Sequence, residues 1–84
     1  MIDAYHIIGI VLKNRHSNAV KLQEIMTEYG SLIKTRLGIH ETREERDHGL
    51  IVLHAEGDEA KINELVAKIN SLDYVEAKVL KLTF

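Results

Sequence analysis

The chain has 84 residues and a mass of 9.6 kDa, which is the size of one small domain, and we expect a single domain over residues 1–84. Its composition, 45% apolar and 29% charged with no cysteine, excludes a disordered segment, a disulfide scaffold and thiolate-held metal clusters, and favours a cytoplasmic protein. The formal net charge of −2 gives no electrostatic reason for binding to nucleic acid or to an anionic membrane.

A strand from Ala4 to Leu12 is the first predicted element, because large aliphatic and β-branched residues dominate this stretch. The polar cluster from Lys13 to Asn18 predicts the turn that ends the strand. The longest apolar run, Ile7 to Leu12, is far shorter than the roughly 20 residues that a membrane-spanning helix requires. We therefore expect a buried strand and no membrane span.

A one-sided helix of about three turns is predicted next. Its apolar residues recur at the spacing i, i+3, i+4 and i+7, namely at Leu22, Ile25, Met26 and Tyr29. Ser17 or Asn18 is available as the N-cap. Gly30 is expected to end the helix in a left-handed conformation, which glycine adopts without steric cost.

Two predicted strands flank a charged connection in the middle of the chain. Leu32 to Ile39 follows the period of two that is typical of a half-buried strand, and we place this strand at an edge of the sheet. The segment from Glu41 to Gly49 is rich in charge and predicts a solvated hairpin connection. Leu50 to Ala55 is predominantly apolar and predicts a second buried strand.

A second helix and a last strand complete the chain. Gly57 supplies a break and Asp58 an N-cap, and the acidic residues at this end complement the helix dipole. The helix repeats the spacing of the first, with its apolar side formed by Ile62, Leu65, Val66 and Ile69. The last strand is predicted from Tyr74 to Thr83.

The order strand, helix, strand, strand, helix, strand predicts an α+β fold of the ferredoxin-like βαββαβ type. Right-handed crossovers place both helices on one face of a four-stranded antiparallel sheet, with the first and third strands at its centre. Because both central strands are apolar on both sides, we expect apolar side chains on the helix-free face as well. Such a patch favours a homo-oligomer assembled through this face, with isoleucine and valine at its centre. The pattern leaves open which strand positions point to that face.

Seven positions resemble the iron-only hydrogenase system regulator family, a small group with an ACT-like ferredoxin fold. They are Glu28, Tyr29, Gly30, Ile33, Arg36, Gly38 and Ile39. The resemblance implies a freestanding oligomeric domain related to the effector-binding parts of amino-acid-sensing and nickel-responsive regulators. It also implies a ligand-responsive regulatory role, without identifying a ligand.

Arg36 and Gly38 are the candidate residues for binding a small anionic effector. An arginine guanidinium holds a carboxylate or phosphate through two parallel hydrogen bonds, and a glycine within a strand allows close approach. The alternative is a solvated or interfacial arginine. An amino-acid effector is less favoured, because ACT domains that bind amino acids typically use a glycine-containing turn after the first strand, and residues 13–18 contain no glycine.

Four of the five histidines, His6, His40, His48 and His54, are candidate metal ligands. None belongs to an HxH or HxxxH pair, so a site would combine His6 or His54 from the central strands with His40 or His48 from the hairpin, within one subunit or across two. Nickel-responsive relatives use a cysteine ligand, which this chain lacks. Unliganded histidines are the alternative, and we expect no cofactor.

Catalytic motifs are absent from the sequence: it has no cysteine nucleophile, no GxSxG and no P-loop, so we do not expect an enzyme. RNA-recognition modules of this topology stack bases on aromatic residues of the central strands, where only Tyr5 is available. A helix-turn-helix segment is also missing, so we expect no direct contact with nucleic acid. Two functional classes remain, a ligand-responsive regulatory domain and a protein-interaction module that needs no small molecule.

Overall fold

The computed structural model describes residues 3–13, 15–40 and 48–84, with the backbone alone at positions 15–17 and 40. Within these ranges the elements are β1 (Ala4–Leu12), α1 (Arg15–Glu28), β2 (Ile33–His40), β3 (Gly49–Ala55), α2 (Glu59–Asn70) and β4 (Val75–Thr83). The predicted βαββαβ order is confirmed. The predicted charged connection lies outside the described residues as far as Asp47.

The four strands form one antiparallel sheet in the order β2-β3-β1-β4. The predicted central position of the first and third strands is therefore confirmed. In β1, Ile8 lies opposite Leu53 of β3 on one side and Val79 of β4 on the other. Strand β2 has a sheet neighbour on one side only, which leaves its outer edge unpaired by the described strands.

The hydrophobic core lies between the two helices and one face of the sheet. Fully buried side chains come from both layers, Ile8, Ile10 and Leu53 from the strands and Leu22, Ile62, Leu65 and Ile69 from the helices. Both helices therefore cover the same face, as right-handed crossovers require. Neither helix in the described ranges has the length and apolar character needed to cross a membrane.

The start of α2 follows from two residues that precede it. Asp58 Oδ1 accepts a hydrogen bond from the N–H of Ala60 at 3.0 Å, so Asp58 is the N-cap that the sequence predicts. Gly57 has a φ of 139°, which other residues rarely adopt, and a Cβ here would lie 2.7 Å from Leu32 Cδ2. The break before α2 therefore requires glycine.

The predicted left-handed end of α1 at Gly30 is wrong. Among the described residues, a positive φ occurs at Gly57 and at Tyr74, where φ is 64°. Gly30 instead donates its N–H to the carbonyl oxygen of Thr27 at 3.1 Å, so the chain leaves the helix through a tightened turn. The short turn satisfies the last carbonyl groups without a left-handed residue.

Asn18, one of the two predicted N-cap residues, lies at the junction of two helical segments within α1. Asn18 has a non-helical backbone, with φ −132° and ψ 19°, and marks a kink. Its side-chain amide donates a hydrogen bond to the carbonyl oxygen of Asp73 at 2.7 Å. Asn18 thus ties α1 to the connection that precedes β4. The side chain of Ser17, the other predicted cap, lies outside the described residues.

Candidate functional site

The side of the sheet that the helices leave uncovered is called the open face here. The strand register assigns the positions that the sequence left undecided: Ala4, His6, Ile8, Ile10 and Leu12 are buried beneath the helices, so the residues between them point to the open face. The apolar side chains of the open face are Tyr5, Ile7, Val11, Leu37, Ile39, Leu50, Val52, Leu80 and Leu82, with Phe84 beside Tyr5.

Large apolar side chains on the open face are strongly exposed in the single chain. Leu37 on β2 is 55% exposed and Leu80 on β4 is 57% exposed, so the patch reaches both edges of the sheet. Ile7 and Val52 lie at its centre and are half-buried. A contiguous apolar patch of this kind is uncommon on a monomer and is typical of an interaction surface.

Gly9 lies at the centre of the open face, between Val52 of β3 and Lys78 of β4. A Cβ at this position would meet no atom within 4 Å among residues 3–13, 15–40 and 48–84, so no crowding by these residues requires glycine. Its φ lies outside the left-handed region as well. A glycine within a strand often marks a place where another backbone or a ligand approaches closely.

An aromatic cluster lies at one end of the open face. The Tyr5 ring packs edge-on against His54, with 5.6 Å between the ring centroids, and lies 4.8 Å from the Phe84 ring. His54 Nε2 lies 3.2 Å from Glu56 Oε1. The cluster adds aromatic rings, and the polar groups of Tyr5 and His54, to apolar side chains that are otherwise aliphatic.

A second feature is a cleft between α1 and the β2–β3 pair, which we call the α1–β2 cleft. Its volume is about 220 Å³, and Arg36 and Gly38 both line it. The two residues that the sequence nominated for an effector therefore belong to one cavity. Gln23 of α1 and Gly49 of β3 line it too and were not predicted. Gln23 comes near β2 through the packing of α1 on the sheet, and Gly49 through the pairing of β3 with β2.

The α1–β2 cleft exists because two strands lack side chains where α1 passes over them. Gly38 and Gly49 both line the cleft. A Cβ at Gly38 would meet no atom of the described residues within 4 Å, so these residues leave the volume above this position open. A register shift between Ile33 and Thr35 of β2 places Arg36 and Gly38 on the helix-covered side and Leu37 on the open face.

The candidate metal ligands whose side chains the structure describes, His6, His48 and His54, do not come together within one protomer. His6 is buried on the helix-covered side of β1, whereas His54 lies on the open face. His48 precedes β3, six positions from His54, or about 20 Å along a strand. The side chain of His40 lies outside the described residues. No three histidine or acidic side chains of the described ranges form a possible metal site, and a site shared by two protomers stays a prediction.

His6 occupies a separate position under the first turn of α2. It is 6% exposed, and its ring nitrogens have no hydrogen-bond partner among the described residues. Its Nε2 lies 3.6 Å from Glu59 Oε1, and that carboxylate pairs with Lys81 Nζ at 3.0 Å. The hydrogen bond and charge of Lys81 lower the pKa of Glu59. The Glu59–Lys81 pair therefore lies next to His6 at this end of the sheet.

Comparisons with known proteins agree with this fold. The structure of the uncharacterized protein TM1266 from Thermotoga maritima is similar, with a TM-score of 0.85 and 23% identity over 94% of this chain and 96% of that one. A functionally unknown protein from Pediococcus pentosaceus ATCC 25745 has a TM-score of 0.56 and 16% identity over 100% of this chain and 94% of that one. At these identities, the similarity shows the fold alone. No curated protein matches the chain.

The sequence itself matches the TM1266-like family, described as "Iron-only hydrogenase system regulator, putative", over residues 4–79. This range is most of the chain, so the protein belongs to that family, and the resemblance inferred from its residues is confirmed. The family's description supplies a coarse functional class, a regulator of the iron-only hydrogenase system.

Proposed function

We propose that this member of the iron-only hydrogenase system regulator family is a non-enzymatic, ligand-responsive domain that works as a homo-oligomer. A second copy of the chain covers the open face, and a small anionic effector binds in the α1–β2 cleft near Arg36 and Gly38. The observation that carries the proposal is the continuous apolar surface of the open face, which one protomer leaves exposed to solvent.

The size of the open face supports a stable interface. Eight of its large apolar side chains are each about half exposed, and together they present on the order of 700 Å² of accessible surface. A standard stable interface buries about 800 Å² per partner. A domain this small also has a limited core of its own, so burial between copies would add to its stability.

The composition of the open face favours a second copy as the occupant. The polar residues of β4 on this face include one of each charge, Glu76 and Lys78. A two-fold arrangement brings the same surface of each protomer together, so both signs are present on both sides and no net repulsion results. The hollow at Gly9 allows the two sheets to approach closely at their centre.

Two matched substitutions test the assembly. Val11→Asp places a charge on the open face, where Val11 is 38% exposed, and Val20→Asp makes the same change on α1, where Val20 is 71% exposed. Light scattering should show an oligomer for the wild type and for Val20→Asp, and a monomer for Val11→Asp. Leu80→Asp, on the edge strand β4, should also give a monomer. This second variant tests the assembly if Val11→Asp does not fold. A wild type that is monomeric at about 50 μM would contradict the assembly.

The same surface favours one other function, a protein-interaction module that docks a different chain and needs no small molecule. An apolar sheet face is compatible with either occupant. Light scattering separates them, because a module for another chain would leave the purified protein monomeric, whereas the proposed regulator is oligomeric by itself.

A further inference from the structure

The walls of the α1–β2 cleft are mainly apolar. Leu12 of β1, Ala19 of α1 and Ile51 of β3 line it together with the two glycines. Among the described residues that line the cleft, the polar side chains are Arg36 and Gln23. A ligand that fits this distribution has one anionic or polar end and an apolar remainder.

Arg36 favours a carboxylate as the polar end of the ligand. Its guanidinium is planar and presents paired N–H donors that match the two oxygen atoms of a carboxylate. The amide of Gln23 supplies a further donor on the opposite wall, on α1. The two side chains project from different elements, so they can hold an anionic group from two sides.

The volume limits the size of the ligand. Ligand cavities commonly span about 300–1,000 Å³, so a cleft of about 220 Å³ suits a small ligand. Branched five-carbon carboxylates, with seven non-hydrogen atoms, are of this size. Larger effectors such as nucleotides exceed it.

Gly38 provides an independent indication that the space is kept open. Its φ lies outside the left-handed region, and a Cβ there would meet no atom within 4 Å in the part of the chain that the structure describes. Neither backbone conformation nor crowding therefore requires glycine, although glycine weakens a strand. The residue does leave the floor of the cleft free for a ligand to approach the backbone.

From these observations we propose that the α1–β2 cleft binds a small monocarboxylate with a short aliphatic chain. Arg36 holds the carboxylate, and Leu12, Ala19 and Ile51 contact the chain. The inference rests on the proposed function, because it names the chemical class of the effector of that regulatory domain.

The experiment is calorimetric titration of the full chain with isovalerate, and with isovaleramide as a neutral ligand of the same shape. Isovalerate should bind at one per protomer, and isovaleramide at least about tenfold more weakly, because it lacks the charge that Arg36 recognises. Arg36→Gln should weaken isovalerate binding at least about tenfold. Arg36→Lys, which keeps the charge, should weaken it less than Arg36→Gln does.

Two further variants separate the cleft from general electrostatics. Lys34→Gln removes a positive charge from the same strand at a residue outside the cleft lining, and it should bind isovalerate as the wild type does. Gly38→Leu should fill the floor of the cleft and abolish binding while the circular dichroism spectrum stays unchanged. Three results would overturn the inference. They are equal affinity for isovalerate and isovaleramide, equal loss of isovalerate affinity in Lys34→Gln and Arg36→Gln, and no binding of isovalerate at about 10 mM.

Light scattering of the same samples distinguishes this inference from the proposed function. An oligomer that binds no isovalerate but responds to another compound in a thermal-shift screen overturns the carboxylate class and supports the regulatory domain. A monomer that binds isovalerate through Arg36 supports the carboxylate site and contradicts the assembly through the open face.

Discussion

The two faces of the central strands have similar side chains and different surroundings. On the helix-covered face, Ile8 and Ile10 of β1 are fully buried, and Leu53 of β3 lies beside them. On the open face, Ile7 and Val11 of the same strand are only partly buried. The comparison shows that apolar character alone does not distinguish the two faces, because the helices determine which of them is covered within the chain.

The largest expected effect tests whether the two faces differ in their contribution to folding. Ile8→Ala should lower the free energy of unfolding by about 3 kcal/mol, because it leaves a cavity beneath the helices. Ile7→Ala, one residue along the same strand, should cost less than about 1 kcal/mol in the isolated protomer.

Urea denaturation at a concentration at which the protein is monomeric measures both variants. The same experiment at high concentration should raise the cost of Ile7→Ala and leave that of Ile8→Ala unchanged, since the proposed association buries only the open face. Similar costs for the two variants in the monomer would contradict the distinction between the faces.

The sequence predicts the helices and the central strands of the helix-covered side well. Periodicity locates both helices, Asp58 caps α2 as expected, and the apolar character of β1 and β3 identifies them as central. These features depend on neighbours in the sequence or on strand burial. The choice between Ile7 and Ile8 as a core residue is different, because a strand that is apolar on both sides has no period that distinguishes its faces.

The features that sequence did not predict depend on tertiary packing. Gln23 lines the α1–β2 cleft because α1 packs on the same side of the sheet as Arg36 and Gly38, and the register shift in β2 changes which of its residues face that side. Asn18 bonds to the carbonyl oxygen of Asp73, 55 positions away. Arg36 and Gly38 are predicted from chemistry that is unusual within a strand, and their role in binding an effector stays a prediction.

A smaller effect tests the close approach of two open faces. Gly9→Ala should raise the free energy of unfolding of the isolated protomer by about 0.5–1 kcal/mol, because glycine weakens a strand and the new Cβ meets no atom within 4 Å. The same change should weaken self-association, since the Cβ occupies the hollow at the centre of the face. Dilution series by light scattering and urea denaturation measure the two effects.

Gly38→Ala is the matched control for Gly9→Ala. It is the same substitution at a strand glycine with an equally open surrounding, but on the helix-covered side. It should stabilise the protomer similarly and leave self-association unchanged. Association that is equally strong in Gly9→Ala and the wild type would show that no partner backbone approaches Gly9.

The smallest expected effect concerns pH and belongs to the helix-covered side. The hydrogen bond and charge of Lys81 lower the pKa of Glu59 in the folded chain, so this carboxylate stabilises the fold above the unfolded-state value of about 4.5, and the contribution is lost as the pH falls through the lower folded-state pKa. Lys81→Gln should therefore lose less unfolding free energy than the wild type does as the pH falls below about 4.5. Lys78→Gln, which removes a charge from the open face of the same strand, is the control and should leave that acid limb unchanged. Because Glu59 is exposed, the effect is small, and urea denaturation at closely spaced pH values is needed to measure it.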